Sequence, residues 1–214
     1  MAVSVGAHDL SPAETRVLGC LLEKQRTTPD AYPLSLNALR LACNQSTNRE
    51  PIVDYDEGVV RDALHRLERR GFTRLASGAG SRAAKYRHLL EEALPMEPGE
   101  QALMCALMLR GSQTPGELKQ RTERMHLFGD LGAVRATLER LIERELVARE
   151  DRRPGQKEER YSELLSEEVG EGNGPAGASM KPVALDELME RVSRLEHEVD
   201  QLRAAMRDPS GQPR

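Results

Sequence analysis

Several residues of the N-terminal half carry the side chains with which proteins hold nucleic-acid phosphates and base edges. Arginine and lysine pair with phosphate, while asparagine, histidine and arginine can form hydrogen bonds with base edges in the major groove. These residues fall on one amphipathic segment, on the connector before it and in or beside a turn containing glycine. The candidate nucleic-acid-binding residues are Asn48, Arg49, Arg61, His65, Arg69, Arg82 and Lys85.

No pattern in the sequence indicates catalysis or a metal centre. The histidines are scattered, and the sequence contains no HExxH, P-loop, GxGxxG or GxSxG motif. Cys20, Cys43 and Cys105 have no paired spacing, so neither a disulfide framework nor a zinc site is expected. We therefore expect a protein that is not an enzyme and binds no metal or cofactor. Unpaired cysteines also favour the reducing cytoplasm as its location.

The segment that carries Arg61, His65 and Arg69 occurs twice. Residues 59–72 recur as residues 133–146, with Val60, Leu64 and Leu67 repeated as Val134, Leu138 and Leu141. Apolar residues at i, i+4 and i+7 form one stripe of a helix. A helix of this kind followed by a β-like segment and a turn is typical of a winged helix. The sequence thus predicts a mainly α protein with small β-hairpins (α+β), built from two tandem winged-helix domains.

Capping and turn residues predict the elements of the first domain, residues 10–92. Ser11 and Glu14 form a capping box for helix one, Ser35 can cap a short second helix, and Asp56 can cap the third. Gly71 suits the position just after that helix. The predicted strands are Phe72–Ala76 and Ala84–Leu89, and the predicted wing tip is Ser77–Arg82.

The second domain, residues 93–166, repeats this order but is acidic. The chain has a formal net charge of −4. Residues 1–90 hold 13 Lys and Arg against 10 Asp and Glu, whereas residues 91–168 hold 12 against 17. Phosphate should therefore be attracted to the first half. The second wing carries Arg152, Arg153 and Lys157, but neighbouring acids favour a contact with another domain or subunit.

A heptad pattern follows the second domain. Residues 167–182 contain repeated glycine and proline, which predicts a flexible linker. Residues 183–207 then show alternating spacings of three and four, typical of a two-stranded coiled coil. An amphipathic helix that folds back on its own domains is the alternative. Residues 1–9 and 208–214 are expected to be disordered. The candidate dimerisation residues are Leu185, Leu188, Val192, Leu195, Val199, Leu202 and Met206.

Four separated segments resemble the bacterial YceH family. They are residues 43–51, 81–88, 109–118 and 154–161, and they occur in the family's order. The resemblance covers about residues 10–165 and implies tandem winged-helix domains. It implies no catalytic or ligand-binding residues.

Two functions are favoured by these features, and a third, small-molecule sensing in a pocket between the domains, is possible although nothing in the sequence marks such a pocket. The first is a dimeric, cytoplasmic, regulatory protein that binds double-stranded DNA through the candidate residues of the first domain. The alternative is an adaptor that binds a protein partner and makes no direct DNA contact. The mixed charge of helix three, with Glu57, Asp62 and Glu68 among its bases, keeps this alternative open. No apolar segment reaches transmembrane length, so no membrane contact is expected.

Overall fold

Helices and short antiparallel strands follow one another twice in the same order. The computed structural model describes residues 10–76, 84–150 and 158–166. Within them the fold class is confirmed as mainly helical with two small antiparallel sheets. The elements are α1 (Pro12–Thr27), β1 (Leu34–Ser35), α2 (Leu36–Cys43), α3 (Glu57–Arg69), β2 (Thr73–Leu75), β3 (Lys85–His88), α4 (Leu90–Ala93), α5 (Pro98–Arg110), α6 (Pro115–Thr122), α7 (Leu131–Glu143), β4 (Val147–Glu150) and β5 (Arg160–Glu163).

The predicted helix starts are confirmed by their hydrogen bonds. The side chain of Glu14 accepts a hydrogen bond from the Ser11 N–H at 3.0 Å, which completes the capping box of α1. Asp56 Oδ1 accepts from the Val59 N–H at 2.9 Å at the start of α3. The equivalent residue before α7, Asp130, accepts from the Ala133 N–H at 2.8 Å. Each cap satisfies a backbone donor that has no partner within its helix.

The two repeated helices end in the same backbone conformation. Gly71 follows α3 with a φ of 76°, as its place after the helix predicts. Glu145, which lies 74 residues later, follows α7 with a φ of 56°. This left-handed conformation costs little for glycine but is strained for glutamate. The second copy therefore keeps the geometry of the first without its glycine.

A short strand adds to the first hairpin. The strand order is β1-β3-β2, with Leu34 opposite Tyr86 and Thr73 opposite His88. The sequence did not predict β1, because two residues show no alternating pattern. In the second half β4 pairs with β5 alone.

The buried side chains of the two halves form one contiguous cluster. The helices α1 and α5 pack against each other, and Gly19 lies where they approach closely. A Cβ atom at Gly19 would lie 2.9 Å from Leu109 Cδ2 and 3.3 Å from Met108 Cβ. The absent side chain thus permits the close approach of these helices. The division into domains at residues 92 and 93 stays a prediction.

Several predictions fall on other parts of the chain. The N-terminal residues 1–9, the linker, the heptad helix and the tail lie outside the described residues. In the described ranges, no helix combines the length and apolar character needed to cross a membrane. The same ranges contain no group of three or more histidine, cysteine, aspartate or glutamate side chains that could hold a metal ion.

Candidate nucleic-acid interface

The outward face of α3 is exposed along its whole length. Val60, Ala63, Leu64 and Leu67 are buried and attach the opposite face of the helix to the core. Because a helix turns once every 3.6 residues, residues between these positions must point to solvent. The most outward positions, those opposite the buried stripe, are Gly58, Asp62, His65 and Arg69, and all of them are exposed.

Three predicted residues of α3 lie on this exposed surface. His65 and Arg69 are central on it, and neither makes a hydrogen bond or ion pair with any residue that the structure describes. Arg61 lies at its edge with a side chain that is 63% exposed and an Nη2 atom 3.7 Å from Glu57 Oε2. An exposed pair at this distance contributes little stability, so Arg61 can leave Glu57 at small cost.

Strand residues add basic side chains on the same half of the molecule. Lys85 is exposed at the start of β3, as predicted, and pairs in register with Ser35. Arg74 on β2 is also exposed, although the sequence did not single it out. Arg82 lies in the segment 77–83, outside the described residues. The second-wing candidates Arg152, Arg153 and Lys157 likewise lie outside the described residues, as do the dimerisation residues Leu185 to Met206.

Arg49 requires a correction, because its guanidinium is buried. The residue is 4% exposed, and its side chain forms an ion pair with Glu23 of α1. The Nη1 and Nη2 atoms donate to the two carboxylate oxygens of Glu23 at 3.1 and 2.7 Å. The remaining donors reach the Ala42 carbonyl at 3.1 Å, the Asn48 carbonyl at 2.8 Å and Gln45 Oε1 at 3.0 Å. All five N–H donors of Arg49 are therefore used inside the protein, and none is left for phosphate.

Asn48 is exposed, but its surroundings differ from those of α3. Its φ is 60°, and its side-chain Oδ1 accepts a hydrogen bond from Arg110 at the end of α5. Asparagine tolerates this left-handed conformation better than most residues. Asn48 thus links the connector to α5, and a contact with nucleic acid stays a prediction for it.

An ion pair explains why arginines recur in the repeat. Arg66 Nε on α3 lies 3.7 Å from Glu14 Oε2, the carboxylate of the first capping box. Its repeat Arg140 lies 3.2 Å from Glu100 Oε1, the corresponding carboxylate of α5. Arg144 also pairs with Glu100, at 3.1 Å. Arg66 and Arg140 therefore join the third helix of each copy to the first.

The two copies differ most at their outward positions. Where α3 carries His65 and Arg69, α7 carries Glu139 and Glu143. Arg140 and Arg144 are occupied by Glu100, and Arg149 pairs with Glu139. Glu143 has no ion-pair partner among the described residues, and its carboxylate repels phosphate, so the exposed face of α7 is a poor surface for nucleic acid. Of the two exposed faces, that of α3 is electrostatically the more favourable for binding nucleic acid.

Two buried titratable groups, His88 of β3 and Cys105 of α5, have pKa values that burial shifts. Burial lowers the pKa of His88 to about 4. Its Nδ1 accepts a hydrogen bond from the Leu90 N–H at 3.2 Å, and its Nε2 lies 2.6 Å from Gln25 Oε1. Burial also raises the pKa of the Cys105 thiol. These groups are neutral at neutral pH and belong to the core, and no local pattern in the sequence predicted their burial.

Comparison with known proteins identifies the family of this chain. Residues 10–156 match the family described as "Protein of unknown function, DUF480". A UPF0502 protein of Serratia proteamaculans is 46% identical, covering 92% of this chain and 93% of the relative. UPF0502 protein YceH of Escherichia fergusonii is 45% identical over 92% of this chain and 94% of its own length. UPF0502 protein azo0627 of an Azoarcus species is 49% identical over 93% and 92%. The resemblance to the YceH family is thus confirmed, and the chain belongs to the DUF480 family, whose curated relatives are called UPF0502 proteins.

Proposed function

We propose that the chain is a tandem winged-helix protein that binds double-stranded DNA through the exposed face of α3. The observation that carries this proposal is the difference between the repeats at their outward positions. At these positions the first copy presents the unpaired Arg69 with His65 and one acid, Asp62, while the second copy presents two acids, Glu139 and Glu143, and no base. A helix in this position of a winged helix enters the major groove, and the strands beside it reach the phosphate backbone.

The neighbouring basic residues support the same surface. Arg61 is held only by an exposed pair, and Arg74 and Lys85 are exposed on the strands next to α3. Together with Arg82 of the predicted wing they would supply the phosphate contacts, and His65 and Arg69 would face base edges. We also propose that the heptad residues Leu185 to Met206 hold two copies together, so that two α3 helices meet a two-fold DNA site. The role would be regulatory, without catalysis.

Exchange of outward residues between the copies tests this proposal. The variant His65→Glu with Arg69→Glu gives the first copy the acids of the second. We expect it to lose at least tenfold in affinity for mixed-sequence duplex DNA, because two carboxylates then face phosphate or base acceptors. Binding is measured by fluorescence anisotropy over a salt series. A smaller salt dependence for Arg61→Glu would mark that arginine as a phosphate contact.

The repeat supplies a matched control for Arg61. Arg135 occupies the equivalent position on α7 and is also exposed. Arg135→Glu changes the net charge by the same amount as Arg61→Glu, so a general charge effect would weaken both variants equally. Equal losses, or wild-type binding by the His65 and Arg69 double variant, would refute binding through α3.

A protein-binding adaptor is the second candidate, and one observation favours it. Leu127 is 76% exposed and Leu131 is 43% exposed, just before and at the start of α7, whose outward positions carry Glu139 and Glu143. Exposed leucines beside acids are more typical of a protein contact than of a DNA contact. Under this proposal a partner survives nuclease treatment of a lysate and is lost in the Leu127→Ser variant. Wild-type recovery of that partner by Leu127→Ser would reject the second candidate.

A further inference from the structure

A polar cleft of about 880 Å³ opens beside the end of α1. One wall comes from α1 and the connector between α2 and α3, and the other comes from the end of α5 and from α6 with the residues after it. Clefts of this volume commonly hold small molecules. Its lining is mostly polar, so a charged or hydroxyl-rich ligand suits it better than an apolar one.

Positive side chains outnumber negative ones around this cleft. The acids of the lining are Glu23 and Glu123, and the cations are Lys24, Arg110, Arg121 and Arg124. Arg121 is partly occupied, since it lies 3.4 Å from Glu117 Oε1 and donates to Gln113 Oε1 at 2.6 Å. The side chains that line the cleft therefore carry a positive formal net charge, even when the buried Arg49 behind its wall is not counted.

The buried ion pair between Arg49 and Glu23 increases this excess of positive charge around the cleft. Glu23 is one of the two acids, but the guanidinium of Arg49 holds both of its carboxylate oxygens from inside the wall. Lys24 Nζ also lies 3.0 Å from Glu23 Oε2. Burial alone would raise the pKa of Glu23, but the hydrogen bonds and positive charges of Arg49 and Lys24 together outweigh burial and hold the pKa below its ordinary value. The carboxylate is ionised and already paired, so it opposes an incoming anion only weakly.

Two arginines of the cleft have no carboxylate partner among the described residues. Arg110 makes one hydrogen bond, to Asn48 Oδ1. Arg124 is exposed and makes no hydrogen bond or ion pair with any residue that the structure describes. Burial lowers the pKa of Arg110, and the positive charges of Arg121 and Arg49 lower it further, against the opposite effect of Glu23 and Glu117. An anion between these arginines would relieve that repulsion.

The connector supplies hydroxyl groups on a fixed backbone. Its end is anchored to α5 by the hydrogen bond from the Glu50 N–H to the Leu109 carbonyl, at 2.8 Å. Ser46 and Thr47 line the cleft and are exposed, and neither side chain bonds to another residue of the described part. Hydroxyl and guanidinium donors together match the oxygen acceptors of a phosphate group. Because the anchor orders them beforehand, binding would cost little conformational entropy.

We propose that this cleft binds a small phosphorylated molecule that carries at least two negative charges. The cations converge on a recess, whereas the candidate DNA contacts lie on an exposed helix face and on strands. The oxygen chemistry of a nucleic-acid backbone is the same, so the test must separate a free phosphorylated ligand from DNA. The inference does not depend on DNA binding by α3.

Calorimetry with pyrophosphate and tripolyphosphate tests the cleft directly. The full chain is titrated at constant ionic strength, with sulfate as the control for a general anion effect. We expect pyrophosphate to bind more tightly than sulfate, and Arg110→Gln and Arg124→Gln each to weaken it at least fivefold, since each removes a charge-assisted contact. Arg135→Gln removes an equivalent exposed charge outside the cleft and should change the affinity less than twofold.

Three results would overturn the proposal. The first is that pyrophosphate does not bind at millimolar concentration. The second is that Arg110→Gln, Arg124→Gln and Arg135→Gln lose equal affinity for pyrophosphate. The third is that Arg110→Gln and Arg124→Gln weaken the binding of duplex DNA but not that of pyrophosphate. The last result would assign the cleft to a nucleic-acid backbone. If Arg110→Gln does not fold, Arg124→Gln decides alone, since Arg124 is exposed and makes no hydrogen bond or ion pair with the residues that the structure describes. The variant His65→Glu with Arg69→Glu should keep pyrophosphate binding, so failure of DNA binding by α3 is recognised separately.

Discussion

Replacement of Arg49 by alanine should lower the free energy of unfolding by about 3 kcal/mol. Removal of one partner from a buried ion pair costs roughly 3–5 kcal/mol, because the other charge stays buried without compensation. The Glu23 side chain is 14% exposed, so water can partly replace the guanidinium, and the lower end of this range applies. The carbonyl groups of Ala42 and Asn48 lose their donor as well.

Chemical denaturation and thermal melting measure this effect. For a chain of this length each kcal/mol shifts the melting temperature by about 2–4 °C, so Arg49→Ala should melt roughly 6–12 °C below the wild type. Arg61→Ala is the control, because Arg61 has only an exposed pair at 3.7 Å, and its loss should cost at most about 0.5 kcal/mol.

A double-mutant cycle with Glu23→Gln isolates the pair itself. The two single changes should not add, because each removes the same buried interaction. Arg49→Lys should recover only part of the loss, since an ammonium group cannot hold both oxygens of Glu23 in the fork geometry. A loss below about 1 kcal/mol for Arg49→Ala, or full additivity with Glu23→Gln, would refute the buried-pair reasoning.

Other predictions concern the backbone and the core. The pKa of His88 is about 4 when folded and 6.5 in the unfolded chain, so the unfolded state binds the proton first as pH falls. Stability should therefore decrease between pH 6.5 and pH 4, by about 2 kcal/mol at pH 5, and this contribution should vanish from denaturation curves of His88→Gln. Glu145→Gly should stabilise the chain by about 1 kcal/mol in denaturation, whereas Gly71→Ala should destabilise it by a similar amount. Opposite signs would show that the left-handed backbone is not the cause. Gly19→Val should lower the melting temperature more than Gly58→Val, since only Gly19 lies where α1 meets α5. Similar melting temperatures for the two variants would contradict the close packing.

Local signals predicted most of the fold. Ser11 with Glu14, Asp56 and Gly71 mark helix ends through bonds that span a few residues, and the repeat supplied the third helix of each copy. The helix α5 begins at Pro98, because proline suits the first position of a helix. The strand β1 depends on β3, which lies far along the sequence, and no local pattern announces it.

The site was predicted less well, because charge alone does not reveal burial. Arg49 and Arg61 are both arginines in polar surroundings, yet one lies inside the protein and the other on the surface. What distinguishes them is Glu23, which lies 26 residues before Arg49 and approaches it only in the folded chain. Arg66 similarly has its ion-pair partner, Glu14, on α1 and not on its own helix. The cleft depends on α1, α5 and α6 together and had no signal in the sequence.

The bonds from the first helix of each copy to the third have a consequence for the history of the chain. If the halves arose by duplication, then each half has been free to diverge except where its architecture forbids it. The pairs of Glu14 with Arg66 and of Glu100 with Arg140 show positions that have stayed fixed, and Asp56 with Asp130 shows another. His65 and Arg69 opposite Glu139 and Glu143 show positions that have not. A comparison of the two copies within one chain thus separates the residues that the shared architecture requires from the exposed residues that it leaves free to differ.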